Sequence, residues 1–125
     1  MVTVRRAPHG SIYVQEAIDV MFIFATYDMN LSVVFIDDGV LALQAGQDTR
    51  GLAIKGFMAT LGALVDWGVD KVYVDRQSLK DRNIPEQAII AIGKDDVTDA
   101  PIRPKVIDTA EIVAMMATQH SIVSF

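Results

Sequence analysis

Leu31 to Gln47, LSVVFIDDGVLALQAGQ, passes in one step from an unbroken apolar run to a pair of carboxylates. Val33-Val34-Phe35-Ile36 does not alternate polar with apolar, so a strand here has both faces covered, as in parallel sheets flanked by helices. Asp37-Asp38-Gly39 then ends the strand where two charges can reach water and Gly39 is free to take φ > 0. In open α/β sheets that carboxyl edge is where ligands and partners dock. The stretch predicts both a fold and the edge on which to look for function.

Upstream of it, Met1 to Arg6 reads as a short first strand, Ala7 to Ser11 as a turn with Ser11 as a helix N-cap, and Ile12 to about Tyr27 as a helix. Within that helix, Val20-Met21-Phe22-Ile23-Phe24-Ala25 is apolar on every side. A helix on one face of a sheet needs a single apolar stripe, so this half is expected to touch a second surface. Downstream, Val40 to Gln47 reads as a short apolar turn of helix closed by Gly46. Asp48-Thr49 then caps a helix from Arg50 to about Trp67, with Ile54, Phe57, Met58, Leu61, Leu64 and Val65 on its core face. Gly51, Gly56 and Gly62 each cost up to ~1 kcal/mol relative to Ala inside a helix, which points to close packing against a neighbour. Gly68 ends the helix.

Lys71 to Asp75 is another strand that finishes on a carboxylate, and Arg76 to Asn83 a polar helical turn. Ala88 to Ile92 reads as a strand bounded by Gly93. Lys94 to Pro104 reads as a loop, because its charges and two prolines preclude a regular element. Val106-Ile107 extends briefly, Asp108-Thr109-Ala110-Glu111 is a D-x-x-E capping box opening a helix to about His120, and Ser121 to Phe125 closes as a strand. Strands separated by helices imply right-handed crossovers and a mostly parallel sheet, whose strand order the spacing leaves open.

A chain of 125 residues suits one domain, residues 1–125. Hydrophobic residues make up 51% and mean hydropathy is +0.31, more apolar surface than one such domain hides. No window reaches the ~18 uninterrupted apolar residues of a membrane span, so burial against other subunits is the expected outlet. A net charge of −5 argues against direct nucleic-acid binding. MVTVRRAPHG lacks an apolar signal core, so a cytoplasmic protein with no membrane partner is expected. Cysteine is absent, which excludes disulfides, thiolate metal sites and covalent sulfur chemistry on this chain.

Asp37, Asp38 and Asp75 follow strands and would share one sheet edge. They form either a Mg²⁺ site for phosphoryl transfer, as in a receiver domain, or turn-favouring strand ends. A receiver also needs a lysine after its last strand, and the sequence has none there. His9 lies in the first βα turn, within reach of a ligand, or is simply a turn residue. Arg5, Arg6, Arg76 and Arg82 flank strand ends, where they either steer an anionic partner or are solvated. No metal-ligand cluster, G-x-G-x-x-G or G-x-x-x-x-G-K-[ST] occurs, so no cofactor is expected.

Several stretches together resemble the small sulfur-relay subunits of the DsrE/DsrF/DsrH and TusB/TusC/TusD type, in particular the DsrF/TusC branch. They are Arg6-Ala7-Pro8-His9-Gly10-Ser11-Ile12-Tyr13 with Glu16-Ala17; Phe35-Ile36-Asp37-Asp38-Gly39-Val40 with Gly46-Gln47-Asp48-Thr49; Val72-Tyr73-Val74-Asp75-Arg76 with Ser78-Leu79; and Ser124-Phe125. The resemblance implies a three-layer α/β/α fold with a mostly parallel sheet of about five strands. It also implies a hetero-oligomer with DsrE/TusD-type and DsrH/TusB-type subunits, a homo-oligomer being the alternative, with sulfur donor and acceptor proteins docking on it. In that family a DsrE/TusD-type subunit carries sulfur as a persulfide on a cysteine near the end of the strand matching Val72 to Asp75. Here Val74 and Asp75 stand in that place, so the carrier role does not transfer. The missing cysteine and the family pattern together predict a non-catalytic subunit, with His9, Asp37, Asp38, Asp75 and Arg76 as strand-end or interface candidates. It serves either intracellular sulfur oxidation or thiolation of the tRNA wobble uridine, and the Tyr13 and Val72 to Arg76 segments lie closer to the oxidation branch. The competing class is a stand-alone receiver-like or ligand-binding domain using the Asp37, Asp38 and Asp75 edge.

Overall fold

Val33, Val34 and Phe35 are fully buried, as the unbroken apolar run requires. They belong to the central strand of a five-stranded sheet in a computed structural model that describes residues 1–52 and 56–125. Ile54, assigned above to a helical core face, lies outside the described residues.

In chain order the sheet and its covering helices begin with β1 (Val2–Val4), α1 (Tyr13–Thr26) and β2 (Ser32–Phe35). After a 3₁₀ segment (Asp37–Leu43) come α2 (Met58–Leu61), β3 (Lys71–Asp75) and α3 (Arg76–Asp81). A small hairpin, β4 (Gly93–Lys94) with β5 (Pro101–Ile102), precedes β6 (Lys105–Ile107), α4 (Thr109–Ala117) and β7 (Val123–Ser124). The main sheet runs β6-β3-β2-β1-β7 with every pairing parallel, in registers such as Val2 to Val33, Val33 to Val72 and Val74 to Val106. The chain steps outward from β1 to β6, and α4 then returns it across the sheet to place β7 beside β1.

Reversing direction puts helices on both faces. Val2, Val4, Val33, Phe35, Val72 and Val74 pack on one side with Val14, Ala17, Ile18 and Met21 of α1 and with Leu61 and Leu64. Val34, with half-buried Tyr73, meets Ile107 and Ile112 beneath α4 on the other. Each such aliphatic side chain contributes roughly 1.5–3 kcal/mol by leaving water. The α/β/α layering expected from the central run is therefore present.

Several local expectations are corrected. Ala88 to Ile92 is no strand of the sheet: Glu86–Ala88 is a 3₁₀ turn, Ile89 makes one antiparallel bridge to Gln44, and Ile89 and Ile92 serve as buried anchors. The strand beside β3 is β6, within the stretch read as a brief extension. Lys94 to Pro104 is a hairpin, because Asp95 accepts from the amides of Val97 and Thr98 and organises its tip. Pro101 sits in its edge strand, where a missing donor costs little. Among the described residues, the helix read from Arg50 to Trp67 is broken into Arg50–Leu52, α2 and Val65–Trp67.

The glycines explain that break better than close packing does. A Cβ on Gly51 would meet nothing within 4 Å, and one on Gly62 would make only ordinary contacts, 3.4 Å from the Met58 carbonyl and 3.7 Å from that of Ala91. Gly68, at φ +82°, does terminate the segment as expected. Ser11 does not cap α1; Ile12 holds the cap position without a side-chain bond. Helix α4 stops at Ala117, short of His120.

The apolar second half of α1 finds part of its second surface within the chain: Phe22 meets the Trp67 ring edge-on at 5.1 Å. Ile23, Tyr27 and Trp67 nonetheless stay more than half exposed. Among the described residues no helix is long and apolar enough to cross a membrane.

Candidate functional site

Parallel strands deliver their carboxyl ends to one side, so β1, β2, β3 and β7 bring Arg5, Asp37, Asp75 and Phe125 to a common edge. The turn after β2 departs from the sequence reading in an instructive way. Left-handed φ falls on Asp37 (+50°), and Gly39 is needed for closeness instead. A Cβ on Gly39 would lie 2.0 Å from the Val4 carbonyl oxygen, while the Gly39 amide donates to Arg5 O (3.1 Å). The 3₁₀ segment is thus pressed against the end of β1, which fixes Asp37 and Asp38 over the first βα turn.

Each carboxylate at this edge is already engaged. Asp37 pairs with Arg5 at 2.7 Å, and Asp38 with Arg82 at 2.8 Å. Asp75 is buried and caps α3: it accepts from the Ser78 amide (2.8 Å), the Ser78 hydroxyl (2.5 Å) and the Thr109 hydroxyl (2.6 Å). Burial pushes the Asp75 carboxyl up, but the hydrogen bonds from Ser78 and Thr109 outweigh it and hold the group below the usual carboxylate range. The Ser78 hydroxyl also accepts from the Asp37 amide (2.9 Å), so one chain of bonds ties β2, β3, α3 and α4 together.

Arg76 follows Asp75 and donates to Asp108 (2.9 Å) at the head of α4 and to Glu86. The Glu111 carboxylate reaches back to the Asp108 amide at 3.0 Å, so the start of α4 is closed where the sequence placed it. The three aspartates share an edge but do not converge. Among the described residues no group of three or more His, Cys, Asp or Glu side chains could hold a metal ion. The edge is built as interlocked ion pairs and helix caps.

His9 lies apart from those pairs. Its Nε2 is 2.8 Å from Gln47 Oε1, and the Gln47 amide nitrogen donates to the carbonyls of Leu41 (2.8 Å) and Gln44 (2.9 Å). That orientation leaves Gln47 only an acceptor to offer, so His9 donates from Nε2, and its buried Nδ1 has no partner among the described residues. The ring also faces Phe57 at 5.8 Å. His9 therefore pins the β1–α1 loop to the segment after β2. Gln47, missed as a site residue by sequence reading, is what sets the histidine's tautomer.

Two hollows flank that loop. A cleft of about 460 Å³ is lined by Arg5, Arg6, Tyr13, Asp37, Asp38, Ser124 and Phe125. On the other side a hollow of about 310 Å³ lies between Pro8, His9, Leu41 and Gln47. Arg6 stands over the Tyr13 ring at 5.5 Å from its centroid. Sequence reading found the arginines, but nothing in spacing signalled that β7 would close the cleft.

The model of the DsrE/DsrF-like family matches residues 1–125. The chain is 38% identical over 124 residues to the intracellular sulfur oxidation protein DsrF of Allochromatium vinosum, covering 97% of this chain and 91% of that one. It is 31% identical over 99 residues to a TusC homolog of Pseudomonas aeruginosa, covering 79% of this chain and 82% of that one. The crystal structure of the ychN protein from E. coli superposes with a TM-score of 0.76 at 16% identity, covering 99% of this chain and 97% of that one. That last likeness concerns the fold alone.

Proposed function

The chain belongs to the DsrE/DsrF-like family, and from that premise we propose that it is a non-catalytic subunit of a cytoplasmic sulfur-relay complex. The observation that carries the reading is the absence of any cysteine together with the state of Asp75. Accepting sulfane sulfur requires a thiolate nucleophile, and a carboxylate saturated by Ser78 and Thr109 cannot replace it. The chain acts as one domain whose role is to support a cysteine-bearing DsrE/TusD-type relative, with a DsrH/TusB-type subunit as third member. His9, Asp37, Asp38, Asp75 and Arg76 serve by shaping the edge where donor and acceptor proteins dock.

Intracellular sulfur oxidation is favoured over tRNA thiolation by the higher identity to DsrF than to TusC homologs, 38% against 31%. The exposed Ile23, Tyr27 and Trp67 on and beside α1 support assembly with a partner. The test is co-expression with cysteine-bearing relatives encoded in the same genome, followed by gel filtration and native mass spectrometry. A hetero-oligomer whose persulfide, supplied by a low-molecular-weight persulfide donor, resides only on the partner's cysteine is the expected result. A soluble monomer that ignores those relatives would refute the proposal, and an assembly of this chain alone would replace it with the homo-oligomer.

A further inference from the structure

We propose that the open edge of β7, together with the cleft at its carboxyl end, receives an extended acidic peptide segment of a partner protein by strand addition. Among the described residues β7 pairs only with β1. The Val123 amide donates to Met1 O (2.9 Å), the Phe125 amide to Thr3 O (2.9 Å), and Phe125 O accepts from Arg5 N (2.7 Å). Since amides alternate sides along a strand, Ile122 and Ser124 turn their main-chain groups outward. Both residues are exposed, so a ready template for a further strand faces solvent.

Charge selects the occupant. Ser124 lines the cleft as well as the edge, so a strand laid along β7 runs directly into it. Of the two arginines in the cleft, Arg5 is neutralised by Asp37, whereas Arg6 has no carboxylate partner among the described residues. The Tyr13 ring beneath its guanidinium holds it in place without consuming its donors. On a chain of net charge −5, this is a local site for an incoming carboxylate beside an open ladder. Main-chain bonds to Ser124 supply the register, and Arg6 supplies the preference for Asp or Glu.

The inference stands independently of the sulfur-relay reading, and its test leaves that reading untouched. A random peptide library is selected on the immobilised full chain, in whatever assembly it purifies. Retained peptides are expected to alternate apolar with polar residues and to carry Asp or Glu toward one end. Arg6→Gln should weaken a selected peptide roughly tenfold, as loss of a charge-assisted hydrogen bond does. Ser124→Pro, which removes the outward amide and spares the β1 ladder, should weaken it by at least as much with thermal unfolding unchanged. Hydrogen exchange at the Ser124 amide should slow on binding. Retention of no peptide, selection of sequences without acidic residues, or full affinity in Arg6→Gln would overturn the proposal; if Ser124→Pro unfolds, Arg6→Gln and the exchange measurement still decide it.

Discussion

Asp75 illustrates how one side chain is read differently from sequence and from structure. As a strand-end carboxylate it is a candidate ligand; folded, it is the N-cap of α3 and a partner of Thr109. Asp75→Ala should therefore destabilise the fold by about 2–3 kcal/mol, through a lost cap and two orphaned hydroxyls, measurable by urea unfolding. Its folded carboxyl titrates below the ordinary value, so the stability it gives is present above the unfolded pKa and is lost as pH falls through the depressed folded one. Asp75→Asn should flatten that acid limb of the stability profile. Gly39 makes the opposite point. Its freedom of φ was the expected reason for a glycine, yet a side chain is excluded because the Val4 carbonyl lies where a Cβ would go. Gly39→Ala should cost more than about 3 kcal/mol or prevent folding, because backbone cannot yield as a flexible side chain would. The residue type was legible in both places; the Val4 carbonyl that excludes a side chain at Gly39 and the Thr109 hydroxyl that meets Asp75 were not, since both come from segments distant in sequence.

At the scale of elements, periodicity located α1, β1, β2, β3 and the start of α4 to within a residue or two. It failed from Arg50 to Trp67 and from Ala88 to Pro104, where short 3₁₀ turns, a bridge and a hairpin replace one helix, one strand and one loop. An apolar pattern announces burial, and burial in this stretch is achieved without continuous pairing. Glycines at 51, 56 and 62 carry the signal that the helix is interrupted, read above as a sign of packing. Gly62 lies at φ −65° with room for a methyl group, so Gly62→Ala should stabilise by roughly 0.5–1 kcal/mol in urea unfolding. A close-packing glycine would give the reverse sign. Glu111→Ala, which opens the head of α4 by releasing the Asp108 amide, should cost about 1 kcal/mol.

For the molecule as a whole, the exposed apolar surface is the property that predicts behaviour. Ile23 is 53% exposed and Trp67 57%, side by side with buried neighbours on and around α1. Ile23→Lys should leave the unfolding temperature of the isolated chain nearly unchanged, since the side chain is already in water, yet abolish co-purification with a cysteine-bearing relative. An unaltered complex would move the interface elsewhere. The sequence by itself determined the parallel α/β class and the lack of a cysteine thiol that could carry sulfur, because these follow from local pattern and from composition. Only the tertiary structure decided the strand order, the identity of the fifth strand, the pairing of each aspartate with its own partner and the cleft closed by β7. Those depend on which distant segments meet, and a one-dimensional pattern records that a residue is buried without recording what buries it.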